Sequence, residues 1–253
     1  MTQLEQAAAQ SSEPCLVRSE LLSKLPFLRH GSTSRAFVEP GGERAVDTQR
    51  LRDLLGIGDF PVAYANQRHT ANVAVVTAGS GNREPIVFPD TDALVCRGIG
   101  TALCVFTADC VPILLCDART HAVAAIHAGW KGTFDRIASK AVETMAELGS
   151  DPEDIVAWLA PSICGEVYEV SPEMVAQFSQ GFQDASRAGV EFLRGRNLDL
   201  PALNVFQMAS SGIPQGNIET SGICTLRNHD KFHSYRADGP KAGRSITMIA
   251  AIE

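Results

Sequence analysis

Apolar residues fall into short runs along this chain. Asn72–Val76, Leu103–Phe106, Ile113–Cys116, Ala122–Ile126, Ile155–Leu159 and Ile246–Ile252 are brief, apolar and bounded by turn residues, a pattern that predicts strands buried in a sheet core. A different period governs Phe134–Leu148. There Phe134, Ile137, Ala138, Ala141, Val142, Met145 and Leu148 recur every three or four positions, which predicts a helix stopped by Gly149. Ser171-Pro172-Glu173 supplies a cap, a proline at the first helical position and an acid in the first turn, so a helix is expected from there toward Gln180. Asp199-Leu200-Pro201 opens another, ending before Gly212. Glu39-Pro40-Gly41-Gly42 and Ala78-Gly79-Ser80-Gly81-Asn82 are loops. Strands and helices mix without strict alternation, which predicts a mixed α/β domain and not a doubly wound parallel one. Neither nucleotide-phosphate fingerprint, GxGxxG after a strand or GxxxxGK[ST], occurs.

Composition narrows the class. The chain has 253 residues, 45% of them apolar, enough for a sizeable core without disulfide staples. Met1–Pro14 is polar and has neither the basic nor the apolar region of a signal peptide, so it is expected to be a disordered leader before a single domain spanning 15–253. A cytoplasmic protein is the expectation that follows. The formal charge of −7, from 22 Lys+Arg against 29 Asp+Glu, disfavours nucleic-acid polymers and anionic membrane surfaces as partners. No apolar run approaches the roughly 18 residues of a spanning helix. Monomer and homodimer are equally compatible with these features.

Seven cysteines and six histidines carry the candidate chemistry. An odd cysteine count without a signal argues against a secreted disulfide framework. Cys96, Cys104, Cys110 and Cys116 form no CxxC pair, which argues against a structural zinc finger or ribbon. Most of these thiols should pack as small apolar groups. Cys110 is the exception by position: Asp109-Cys110 ends an apolar strand before a proline turn. His127 ends a second strand, just before the glycine-rich turn Gly129-Trp130-Lys131-Gly132 into a helix. The segment from Ile113 to Ala125 between them has the length of a hairpin, which would return His127 to Cys110. His69 stands just ahead of another strand. Two imidazoles and one thiolate, with a fourth position left open, are the donor set of a catalytic zinc ion.

The chain resembles the YfiH-type laccase-domain family, also called the polyphenol oxidase or purine nucleoside phosphorylase YfiH family. The resemblance runs from about His30 to the C-terminus. It is strongest from Asp92-Ala93-Leu94 through Thr107-Ala108-Asp109-Cys110-Val111-Pro112 to His127-Ala128-Gly129-Trp130-Lys131-Gly132-Thr133. Further blocks are Pro161-Ser162-Ile163, Tyr168-Glu169-Val170, Asp199-Leu200 with Asn204, Cys224-Thr225, Phe232-His233-Ser234-Tyr235-Arg236 and Gly243-Arg244. The resemblance implies a zinc site at His69, Cys110 and His127. It also implies a four-layer α-β-β-α fold with mixed sheets, distantly like the catalytic domain of cytotoxic necrotizing factor. The implied activity is cleavage of purine nucleosides (adenosine, inosine, guanosine or methylthioadenosine) by phosphate to the free base and ribose 1-phosphate, with adenosine deamination beside it. Two departures stand out. Gln67-Arg68-His69-Thr70 replaces the family's Gln-Val-His-Gly, and the N-terminal block is shortened to Ser34-Arg35-Ala36-Phe37-Val38.

Each mechanism assigns residues. Phosphorolysis needs cations for phosphate, for which Arg35, Arg236 and Lys131 are candidates. Trp130 either stacks on the purine or closes the core against the following helix. Deamination needs a proton shuttle, and Asp109 is the carboxylate nearest in sequence, although the HxE and PCxxC signatures of the zinc deaminases are missing. Copper is disfavoured as cofactor because clustered copper centres are rich in imidazole. Two rivals use the same residues otherwise. One is a thiol hydrolase or amidase with Cys110 as nucleophile and His127 as base; the other is editing of peptidoglycan precursors.

Overall fold

The computed structural model describes residues 16–37, 48–79 and 85–252. The polar leader therefore lies outside the described residues. In chain order the strands are β1 (Leu16–Val17), β2 (Leu28–Thr33), β3 (Val62–Ala65), β4 (Val73–Thr77), β5 (Ile86–Phe88), β6 (Ala93–Arg97), β7 (Ala102–Thr107), β8 (Val111–Asp117), β9 (Val123–Ala128), β10 (Ile155–Leu159), β11 (Leu193–Arg194), β12 (Asn197–Leu198), β13 (Ile218–Thr220) and β14 (Ser245–Ala251). The helices are α1 (Gln49–Leu55), α2 (Trp130–Phe134), α3 (Ile137–Glu147), α4 (Pro172–Gly181), α5 (Gln183–Arg187), α6 (Leu200–Ser210) and α7 (Tyr235–Asp238). None among the described residues is long and apolar enough to cross a membrane.

Two six-stranded sheets, ordered β1-β2-β14-β7-β3-β5 and β13-β10-β8-β9-β6-β4, mix parallel and antiparallel pairs. Alternation along each strand shows how they stack. Leu114 and Cys116 of β8, with Val123 and Ala125 of β9, share one core with Leu103 and Val105 of β7 and Ile249 of β14. Their neighbours Ile113, Leu115, Ala124 and Ile126 face the other way, toward Ile137, Ala141 and Met145 of α3 and Leu203 of α6. Ala102 and Cys104 of β7 face Leu51 and Leu55 of α1. The layers are therefore helix, sheet, sheet, helix. Central strands buried on both faces read as unbroken apolar runs, which explains why β8, β9 and β14 were legible.

Two local expectations change. The helix expected over Phe134–Leu148 is split into α2 and α3 by Arg136, whose φ is 62°. Compensation comes from its side chain, which donates to Gly181 O at 3.0 Å and Asp184 Oδ1 at 2.9 Å and lies 3.8 Å from the Phe182 ring centre. Pro112 stands inside β8, not at a turn. Pairing of β10 with β8 ends at Leu159↔Ile113, and one residue on Ala160 N–H still donates to Pro112 O at 2.9 Å, so the proline leaves unmade only the return bond at the end of the ladder.

Candidate metal centre

The second sheet brings four strand ends together. His69 precedes β4, Asp92 precedes β6 and Cys110 precedes β8, while His127 is the penultimate residue of β9, which runs antiparallel to both β6 and β8. The register places Pro112 opposite His127 and Ala93 opposite Ile126. The β8–β9 hairpin thus returns His127 beside Cys110. The turn carrying Cys110 is also the crossover from β7 in the first sheet to β8 in the second.

One donor atom from each of His69, Cys110 and His127 lies within 4.8 Å of the other two. His69 Nε2 is 3.7 Å from Cys110 Sγ, and the His69 and His127 rings meet nearly edge-on, their centres 4.8 Å apart. A tetrahedral zinc ion with ordinary Zn–S and Zn–N bonds sets those two kinds of donor about 3.6 Å apart, so the donor set and spacing fit that ion. Gly129 keeps the space open. A Cβ there would come within 2.7 Å of His69 Cδ2 and 3.1 Å of Cys110 Sγ.

Asp92, wholly buried, organises both histidines. Its Oδ1 lies 2.7 Å from His127 Nδ1, which fixes that ring and leaves Nε2 for the centre. The same carboxylate accepts from the backbone N–H groups of Arg68, His69 and Thr70 and from the Thr70 hydroxyl at 2.7 Å. Those bonds hold His69 in the left-handed region, at φ 59°. Gln67 pins the other side of the loop, donating to Phe106 O at 2.7 Å and accepting from Phe106 N at 2.8 Å. Asp92 stood in the sequence as an acid directly before an apolar run. It was not among the residues expected at the site, although a charge placed there must find a partner once buried.

Electrostatics separate Cys110 from the other thiols. Burial pushes its thiol up, but the neighbouring His127 and His69 imidazoles outweigh that and hold it at about 6. Burial also pushes His127 down, and Cys110 with Asp92 reverses it to about 9. Asp92 would rise on burial alone; its bonds to His127 and Thr70 hold it at about 2. Cys96, by contrast, is pushed up to about 11 by burial, and Cys116 is pushed up further.

The remaining predicted site residues flank this group. Asp109, at φ 83°, spends both carboxylate oxygens, on the Thr225 hydroxyl at 2.6 Å and the Arg236 N–H at 2.7 Å. The Arg236 guanidinium donates twice to Glu169 O at 3.0 Å and lies 5.1 Å from the Tyr168 ring centre. Arg35 is bound to Asp238, at the end of α7, so both arginines are gathered on the Asp109 side and both are already engaged. Trp130 is half-buried against the helical core, with Lys131 Nζ 5.5 Å from its ring centre. Among the described residues, no other group of His, Cys, Asp and Glu has metal-ligand spacing.

Fold and site together define an α/β protein with two mixed sheets and an open His–Cys–His centre. The chain belongs to the family described as multi-copper polyphenol oxidoreductase laccase, whose profile matches residues 43–252. It is 36% identical over 220 residues to a purine nucleoside phosphorylase of Bacteroides thetaiotaomicron, covering 82% of this chain and 81% of that protein. It is 35% identical over 220 residues to adenosine deaminase RL5 from an unknown prokaryotic organism, covering 84% of each. The solved structure of YfiH from Bacillus licheniformis superposes with a TM-score of 0.81 at 26% identity, over 96% of this chain and 98% of that one.

Proposed function

We propose that this chain is a zinc-dependent purine nucleoside phosphorylase, with adenosine deamination as a second activity of the same centre. The observation that carries the reading is the convergence of His69, Cys110 and His127 with Asp92 behind them. Relatives bearing the two activity names lend it support. Among the described residues there is one such group and no further imidazole-rich one, which argues against a clustered copper centre, and its three donors suit a zinc ion. His69 Nε2, Cys110 Sγ and His127 Nε2 would hold it, and when bound it would supply Lewis-acid chemistry.

The chain's own residues have distinct tasks. Asp92 holds His127 in one tautomer and His69 in its strained backbone. Asp109 is a positioning residue: through Thr225 and Arg236 it fixes the Cys110 turn against the C-terminal segment. Arg35, Arg236 and Trp130 line the approach to the nucleoside. In phosphorolysis an oxygen of hydrogen phosphate forms a bond to ribose C1′ as the C1′–N9 bond breaks, and the phosphate's proton ends on the purine. A thiol hydrolase uses Cys110 and His127 but leaves the strained placement of His69 without a purpose. A cytoplasmic location suits nucleoside chemistry and the six free cysteines among the described residues.

The test is incubation of the zinc-loaded protein with adenosine, with and without phosphate. Adenine that forms only with phosphate is expected, and inosine marks the deaminase activity. Absence of both products from every purine nucleoside overturns the reading. Asp109→Asn should retain zinc while lowering kcat; full turnover would remove Asp109 from the site.

A further inference from the structure

Beside the ligand group lies a pocket of 620 Å³, set between the His69 loop and helices α2 and α3. Its charged lining is Arg68, Lys131, Arg136 and Lys140 against the single acid Asp135, in a chain whose formal charge is −7. Arg136 is committed to Gly181, Asp184 and the Phe182 ring. The other three are available. Arg68 faces Asp90 at 3.9 Å, but the two side chains are 64% and 75% exposed, and so solvated a pair exchanges partners at little cost. Among the described residues Lys131 meets only the Trp130 ring, and the Lys140 ammonium has no ion pair. The close fit of loop and helix is specific: a Cβ on Gly132 would sit 2.9 Å from Thr70 O. His69 forms part of the pocket's wall, so a group held there lies next to the ligand set.

The two reactants of the proposed reaction differ in charge. A nucleoside is neutral and gains nothing from three cations, whereas phosphate at neutral pH is an anion shared between its singly and doubly charged forms. On the Asp109 side the candidate arginines are already engaged, with Asp238 and Glu169. We propose that the pocket between the His69 loop and helices α2 and α3 is the phosphate subsite, with Arg68, Lys131 and Lys140 as its cradle. This rests on the phosphorylase reading for its source of phosphate, and the same chemistry would seat the 5′-phosphate of a nucleotide.

Calorimetric titration of inorganic phosphate, adenosine 5′-monophosphate and adenosine into wild-type protein and an Arg68→Ala/Lys140→Ala variant tests it. Both side chains are exposed, so melting temperature and zinc content should hold. Phosphate affinity is expected to fall about tenfold or more, in keeping with the loss of at least one charge-assisted contact, while adenosine affinity stays within about twofold. The KM for phosphate should rise in parallel. Phosphate that fails to bind the wild-type protein, or binds the variant equally well as an anion held by the metal alone would, overturns the subsite. Weakened phosphate binding in a protein that makes no ribose 1-phosphate keeps the subsite and ends the phosphorylase reading. Tighter binding of the monophosphate, lost in the same variant, keeps the subsite and assigns it to a nucleotide.

Discussion

His30 and His127 are buried to nearly the same depth, 2% and 3% exposed, yet they are driven in opposite directions. Burial and the nearby Arg18 charge push His30 down to about 4, and its Nε2 accepts the Ser19 N–H at 3.0 Å, a bond that needs an unprotonated nitrogen. His127 has Asp92 at one nitrogen and Cys110 facing the other, and it is lifted to about 9. Depth is equal; the partner differs. One imidazole is a neutral packing element edge-on to Trp158, and the other is an oriented ligand. Burial by itself makes a histidine quiet, and a carboxylate behind it makes it useful.

Four experiments sharpen or break that contrast. Replacing His127 by Ala should lower zinc affinity at least about a hundredfold, since one of three ligands to an ion bound by on the order of 10 kcal/mol is gone; His30→Gln should leave zinc affinity alone. Competition with a chromophoric chelator measures both, and equal losses would end the distinction. His30 should instead govern acid stability. Its folded pKa of about 4 lies below the ordinary 6.5, so between those values the unfolded chain binds the extra proton. Its contribution is complete above pH 6.5 and is lost as pH falls toward 4, by up to about 3 kcal/mol. Urea denaturation across that range should show the slope, and His30→Gln should flatten it.

Smaller effects follow from the supports. Asp92→Asn keeps the shape but removes the charge, so zinc affinity should drop about 10–100-fold without loss of the ligands. In the metal-free protein, an NMR titration should find His127 moved downward, toward the behaviour of His30. A titration curve that stays in place would show that Cys110 alone sets it. Gly129→Ala should have the least effect: the Cβ presses on His69 more than on the buried His127. A few-fold weaker zinc binding is expected, with His69 displaced in a crystal structure of the variant.

Much of the fold was legible because it is written in short-range periodicity. The six predicted runs are β4, β7, β8, β9, β10 and β14, and the capped starts at Ser171 and Asp199 open α4 and α6. β2 was not, because Arg29-His30-Gly31-Ser32-Thr33 has no apolar pattern. Its polar groups are buried through partners elsewhere, Ser32 with Thr247 at 2.8 Å among them. The candidate ligands were legible as a cysteine and histidines at strand ends, with the resemblance adding weight. The helix break at Arg136 was hidden, since it depends on Phe182 and Asp184, far along the chain.

By itself the sequence determined a mixed α/β protein with a small set of chemically able residues: His69, Cys110 and His127 at the ends of apolar runs. Tertiary structure decided how they are used. Asp92 meets His127 across 35 positions, Thr225 meets Asp109 across 116, and Arg236 meets Asp109 across 127. Such pairs depend on strand register and on which sheet each strand joins, and neither is encoded in local periodicity. The reason is physical: a strand's pattern says which face is buried, but only its neighbours set the charge that face will meet.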